Sequence, residues 1–264
     1  MTTGLPLLYY QVHHAPSGTT GTPLLLMHGL FGSADNWGSI ARQLAQHRPV
    51  ISVDLRNHGR SPHHASQTYA EMAADVLAVC DHLDLAQVHV LGHSLGGKVA
   101  MQFAMQSPQR VNKLIVVDMA MRAYADVHTP LIDAMLAVDL SLCASRSEVD
   151  KALALAIPNL MVRQFLLTNL HKVDDRLQWR LNLAALKANY GQLQSALLPP
   201  ENTSLTMPSL FIRGERSDYV NAQDMHTISQ YFTQASFVSL PTDHWVHAEQ
   251  PQLFMQTVAA FLAE

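Results

Sequence analysis

Short runs of consecutive apolar residues recur along the chain, separated by stretches of helical periodicity. Leu24–His28, Val50–Asp54, Val88–Gly92, Lys113–Asp118, Ser209–Arg213 and Ser236–Leu240 are such runs, mostly bounded by Gly, Pro or Asp. Apolar runs with these boundaries read as strands buried on both faces. Leu7–His13 reads as an outer N-terminal strand. Thr68–Leu83 is the clearest helix: Thr68 and Glu71 form a capping box, and Met72, Val76, Val79, Cys80 and Leu83 follow at helical spacing. Ser94–Gln106, Asn221–Phe232 and Pro251–Ala263 read as further helices, the last with Pro in its first turn. Strand–helix alternation predicts a mostly parallel central sheet flanked by helices, joined by right-handed crossovers.

The stretch 121–207 breaks the rhythm. It shows helical periods and no convincing strand, with Leu153–Leu170 and Arg176–Leu193 its best helices. The expected arrangement is one domain, with a core over about 1–120 and 208–264 and a helical cap over about 121–207 inserted after the sixth strand.

Composition narrows the function. With 48% apolar and 14% charged residues, the chain has material for a buried core and is not disordered. A net charge of −4, without a basic run interleaved with aromatics, argues against nucleic-acid binding. No apolar stretch reaches the roughly 18 residues of a membrane span. Met1 to Tyr10 carries no basic residue and lacks a long apolar segment, so no secretory leader is expected. Cys80 and Cys143 are too few for a disulfide scaffold and form no C-x-x-C, which fits reduced thiols and a cytoplasmic location. The pairs His13–His14 and His63–His64 lack a third ligand at metal-binding spacing. Neither metal nor cofactor is expected.

Gly92-His93-Ser94-Leu95-Gly96 follows an apolar strand and opens a helix. This is a G-x-S-x-G nucleophile elbow in the strand–turn–helix context that it requires. The glycines let strand and helix approach, and Ser94 projects at a helix N-terminus that favours developing negative charge. A serine needs a base. His244 follows the last apolar run and is the candidate; His247 is its rival, nearer the final helix. An oxyanion hole needs backbone N–H donors. Leu95 supplies one, and the loop His28-Gly29-Leu30-Phe31-Gly32 supplies the other through Leu30, with Phe31 as the alternative. His28 is expected to brace that loop. Trp245 is expected to pack around the histidine, and Phe31 and Trp245 to border an acyl pocket.

These residues, together with Asp54-Leu55-Arg56-Asn57-His58-Gly59-Arg60-Ser61, resemble the α/β-hydrolase superfamily almost end to end. Arg56-Asn57-His58-Gly59, Gly29-Leu30-Phe31-Gly32-Ser33 and His244-Trp245-Val246-His247-Ala248 are most similar to the YbfF-type small esterases. Asn57 departs from the glycine usual at its place in the second motif. The superfamily resemblance implies an acid three residues after Gly214, where this chain has Ser217; Asp218 is next. Asp118, at the end of the Lys113–Asp118 run, occupies the other place from which the fold supplies its acid. The YbfF-type resemblance implies an aspartate at Asp118 assisted by Ser217. Asp243, adjacent to the histidine in sequence, is poorly placed to reach its Nδ1.

The implied chemistry is acyl transfer through an acyl-enzyme, on small-molecule esters of short to medium acyl chains or on acyl thioesters. C–C bond hydrolysis, perhydrolysis and a ligand receptor without turnover are the competing readings. Dehalogenase and epoxide hydrolase chemistry is disfavoured, because those elbows carry Asp where this chain has Ser94.

Overall fold

The computed structural model describes residues 6–17, 19 and 21–263. Residues 1–5, part of the stretch searched for a secretory leader, lie outside the described residues. The strands are β1 (Tyr10–His13), β2 (Leu24–Met27), β3 (Val50–Val53), β4 (Val88–His93), β5 (Val111–Val117), β6 (Leu170–Val173), β7 (Arg176–Trp179), β8 (Ser209–Gly214) and β9 (Ala235–Leu240). Seven form one sheet in the order β1-β3-β2-β4-β5-β8-β9, in which only β1 runs antiparallel to its neighbour. The helices are α1 (Gly38–Leu44), α2 (Tyr69–His82), α3 (Leu95–Gln106), α4 (Thr129–Ala137), α5 (Arg146–Leu153), α6 (Leu160–Leu167), α7 (Leu183–Gln194), α8 (Ala222–Tyr231), α9 (Val246–Glu249) and α10 (Pro251–Ala263).

The two faces of the sheet build two cores, because successive strand residues point to opposite sides. Leu25 and Met27, Val90, and Leu114 and Val116 face one core with Met72, Val76, Val99 and Phe103 from α2 and α3. Leu24 and Leu26, Leu91, and Ile115 and Val117 face the other with Trp37, Ile40, Leu44, Val258 and Leu262 from beside and within α1 and α10. This two-sided burial explains why the central strands are continuously apolar in sequence. Thr68 caps α2 by accepting from the Glu71 N–H while Glu71 returns a bond to the Thr68 N–H, the predicted box.

The segment 121–207 differs from expectation in two ways. It follows β5, the fifth described strand rather than a sixth, because among the described residues one antiparallel strand precedes β2. It also contains a β-hairpin, β6–β7, where only helices were expected. Asp174 and Asp175 both take positive φ, 46° and 61°, which suits the twist of a two-residue hairpin turn. The anticipated Leu153–Leu170 helix is split at Pro158, and Asn159 starts α6 anew by accepting from the Met161 and Val162 N–H groups. Arg176–Leu193 likewise divides into β7 and α7, with Asn182 capping α7.

The insertion packs into the same core as α2 and α3 through Ile132, Met135, Leu166 and Leu186. Polar ties fix its ends. The fully buried Lys98 of α3 donates to the carbonyls of Arg122 at 2.9 Å and Ser195 at 2.6 Å, near the two roots of the insertion. Tyr69 of α2 donates to Leu193 O of α7.

Helix α3 lies close against the strands. A Cβ on Gly96 would stand 2.5 Å from Met27 O and 2.6 Å from His28 O, with nowhere to move because both contacts are backbone. Gly96→Ala is therefore expected to lose more than about 3 kcal/mol of stability or fail to fold, read from urea denaturation.

Candidate active site

Strand β4 delivers Ser94 into a turn with φ 52° and ψ −118° before α3 begins at Leu95. That conformation is strained for a residue with a Cβ. The Ser94 N–H donates to Val117 O at 3.0 Å, and its carbonyl accepts from Gly97 at 2.8 Å, so both flanking elements hold the turn. A Cβ on Gly92 would overlap the Gly96 carbonyl, which explains the glycine two residues before the serine.

Ser94, His244 and Asp118 lie in one hydrogen-bonded chain. The His244 Nδ1–H donates to Asp118 Oδ2 at 2.7 Å, and the Ser94 hydroxyl donates to His244 Nε2 at 2.9 Å. Asp118 is completely buried, in a strained turn of its own with φ 47°. Its Oδ1 accepts from the Gly214 N–H at 2.9 Å and its Oδ2 from Ser217 Oγ at 2.5 Å. With the His244 contact, this supplies three donors for one carboxylate, which is how a buried charge is held without an Arg or Lys. Asp218 sits nearby, but it is its carbonyl that is engaged, accepting from Arg122 Nη2. Asp243 pairs with Arg216 at 3.1 Å, on the exposed side.

Two contacts on His244 had no signal in the sequence pattern. The ring of Tyr219 stacks on it, with centroids 3.7 Å apart and planes 19° apart. His93, the variable residue within the elbow, donates from Nε2 to the His244 carbonyl at 2.9 Å and so fixes the backbone of the histidine loop. His247, the rival base, is stacked on Trp37 with centroids 4.6 Å apart and bordered by His93.

The loop after β2 turns back on itself, with the Gly32 N–H donating to Gly29 O at 2.9 Å and Phe31 at φ 63°. Positive φ at the third position marks a type II-like turn. His28 braces the turn: its Nδ1–H donates to Gly29 O at 2.8 Å and its Nε2 accepts from the Leu55 N–H at 2.9 Å. Asp54 reaches the same loop by accepting from the Ala34 N–H at 2.6 Å. Asn169 of the insertion donates to Phe31 O at 2.8 Å, a contact between positions far apart in sequence. The motif around His58 thus frames the site from below. Asn57, in place of the usual glycine, takes φ 65°, which Asn tolerates. Its side chain accepts from Asn182 at 3.1 Å, which joins this loop to the insertion.

A cavity of about 50 Å³ opens at Ser94, bordered by Leu30, Leu95, Met119, Val127 and Leu193 and by several polar rings. No acceptor among the described residues takes the N–H of Leu30 or Leu95. Phe31 and Trp245 do not border this cavity. Phe31 is buried with its ring near the edge of His128, and Trp245 lies beside Phe165 of α6. The positive φ of Phe31 directs its side chain under the insertion instead of toward the serine.

Residues 22–142 match a family model described as alpha/beta hydrolase fold. The sn-1-specific diacylglycerol lipase ABHD11 of Mus musculus is 37% identical, over 98% of this chain and 86% of its own. The esterase YbfF of Escherichia coli is 33% identical, over 97% of this chain and 98% of its own. The chain belongs to the α/β-hydrolase family. A solved structure titled marine microorganism esterase superposes with a TM-score of 0.92 at 35% identity, covering 97% of this chain and all of its own. The mostly parallel sheet with β1 reversed at its edge is the expected α/β-hydrolase architecture.

Several histidines of this α/β-hydrolase are held neutral. Burial pushes His247 and His128 down to about 4 and His58 to about 3, and it depresses His28 and His93 as well. In the unfolded chain a histidine takes a proton near pH 6.5. Between that value and the lowered folded value the unfolded state binds more protons, so stability falls as pH falls. Each histidine depressed in this way is expected to add a slope of up to about 1.4 kcal/mol per pH unit in this window. Urea denaturation from pH 7 to pH 4 measures it, and His247→Phe should flatten the dependence.

Proposed function

We propose that this chain is a serine esterase that hydrolyses carboxylic esters of short to medium acyl chains, with acyl thioesters as a second acceptable bond. The observation that carries the reading is the unbroken relay from the Ser94 hydroxyl through His244 to the buried Asp118. Relatives named esterase and lipase, matched nearly end to end, support the same reaction class.

In the proposed reaction His244 Nε2 takes the Ser94 proton as Oγ attacks the ester carbonyl. The oxyanion is received by the N–H groups of Leu30 and Leu95, both without a competing acceptor and both bordering the cavity. His244 then protonates the leaving alcohol or thiol. It next deprotonates a water that hydrolyses the acyl-enzyme. Asp118 holds the Nδ1–H tautomer and stabilises the imidazolium, while Ser217 positions the carboxylate. No step asks for a metal or cofactor. The apolar wall of Leu30, Met119, Val127 and Leu193 suits an acyl chain, and the small cavity favours a short one. The free thiols of Cys80 and Cys143 suit a reducing, cytoplasmic setting.

Turnover of a panel of p-nitrophenyl acyl esters and acyl-CoA thioesters tests the reading. Ser94→Ala is expected to lose about a thousandfold or more in kcat, and a wild type giving at most about one product per protein would sink the hydrolase in favour of a receptor. Asp118→Asn, which permits the wrong histidine tautomer, is expected to lower kcat by about a thousandfold or more, whereas Asp218→Asn should stay within about twofold. Equal losses in the two aspartate variants would reject the assignment of the acid.

A further inference from the structure

The wall of the Ser94 cavity carries more polar groups than plain alkyl ester hydrolysis needs. Tyr69, Tyr124, His128, Tyr190, Gln194 and Tyr219 all border it. Most of their donors are spent. Tyr69 donates to Leu193 O, and Tyr124 donates to Tyr219 O at 2.7 Å. Tyr190 and His128 bond each other, with the Tyr190 hydroxyl 2.6 Å from His128 Nδ1.

The direction of that last bond decides what the cavity offers. A phenol hydroxyl is a stronger donor than an imidazole N–H, and an imidazole nitrogen is a stronger acceptor than a phenol oxygen. At 2.6 Å the Tyr190 hydrogen therefore goes to His128 Nδ1. In a neutral imidazole the proton then sits on Nε2. Burial keeps the ring neutral, pushing His128 down to about 4. His128 Nε2 has no protein acceptor among the described residues and is not sealed from solvent, on a residue that borders the cavity. Gln194, on the same wall, has a buried Nε2 that also lacks a partner. An unsatisfied buried donor is costly, so Gln194 Nε2, with the solvent-open His128 Nε2 on the same wall, favours a ligand that brings an acceptor.

Resting on the ester-hydrolase reading above, we propose that His128 is a specificity-determining residue whose Nε2–H binds a neutral oxygen of the substrate beyond the scissile ester. The preferred class is esters carrying an ether, carbonyl or hydroxyl oxygen near the reacting carbonyl, ahead of their alkyl isosteres. A neutral donor alone does not offset the desolvation of a carboxylate or phosphate. The hydroxyl of Tyr190 sets the tautomer, and the edge contact with Phe31, centroids 5.9 Å apart, holds the ring in place.

Matched esters in which one CH2 becomes O test the proposal. On the acyl side the pair is p-nitrophenyl pentanoate and p-nitrophenyl 3-methoxypropanoate; on the alcohol side it is butyl acetate and 2-methoxyethyl acetate. The readout is the ratio of kcat/KM within each pair, so general losses of activity cancel. Wild type is expected to favour the oxygen member of at least one pair by about tenfold, the worth of one buried hydrogen bond. His128→Phe should bring that ratio near one, and His128→Gln, which keeps an N–H donor, should retain most of it. Parity in wild type for both pairs, or a preference that His128→Phe keeps, would overturn the proposal. Should His128→Phe be inactive on every ester, Tyr190→Phe supplies the ratio: a lowered preference supports the proposal and an unchanged one rejects it. Wild-type inactivity on all four esters, matching Ser94→Ala, would reject the hydrolase reading itself.

Discussion

The close approach of α3 to the sheet governs the rest of the site. Gly96 brings the start of this helix against the carbonyls of Met27 and His28, and Gly92 lets the turn from β4 close over it. Ser94 is left at φ 52° between them, with its side chain at the helix N-terminus. That strain is affordable because the turn is bonded to β5 on one side and to the first turn of α3 on the other. The same contact sets the loop that carries Leu30 beside the serine, since His28 and Gly29 immediately precede Leu30. One packing constraint thus fixes both the serine and the donors that face it.

Around this centre the polar groups are organised as supports. Asp118 is buried without a cation, yet Gly214, Ser217 and His244 each give it a hydrogen. Tyr219 covers the face of His244, and His93 anchors its carbonyl. Asp54 and His28 hold the loop that carries Leu30. Few of these partners move charge in the proposed reaction. Their effect is to limit the number of positions open to the groups that do, which is what electrostatic preorganisation requires.

The insertion is tied to the site by polar contacts. It is bound at both roots by Lys98, at Asn57 by Asn182 and at Phe31 by Asn169. It is therefore coupled to the loops that frame the serine and does not merely lie over them. It also supplies His128, Tyr190 and Gln194 to the cavity wall, so it gives that wall polar as well as apolar surface.

Local pattern alone determined the layered sheet and the helices α2, α3, α8 and α10, and it marked the elbow at Ser94 and His244 as candidates. Strand burial, capping boxes and a glycine-spaced turn are written in neighbouring residues, and their physics acts over a few positions. The choice among acids was not local. Asp118 and Asp218 were both open until β5, β8 and the loop after β9 met, because a hydrogen bond to His244 depends on three segments far apart in the chain. The hairpin within 121–207 escaped notice because its signal is two aspartates at positive φ, a conformation the sequence permits without announcing. The same holds for Tyr219 on His244, Asn169 on Phe31 and Tyr190 on His128. Each is a contact between residues whose proximity only the packed tertiary structure decides, since their sequence separation leaves no periodic trace.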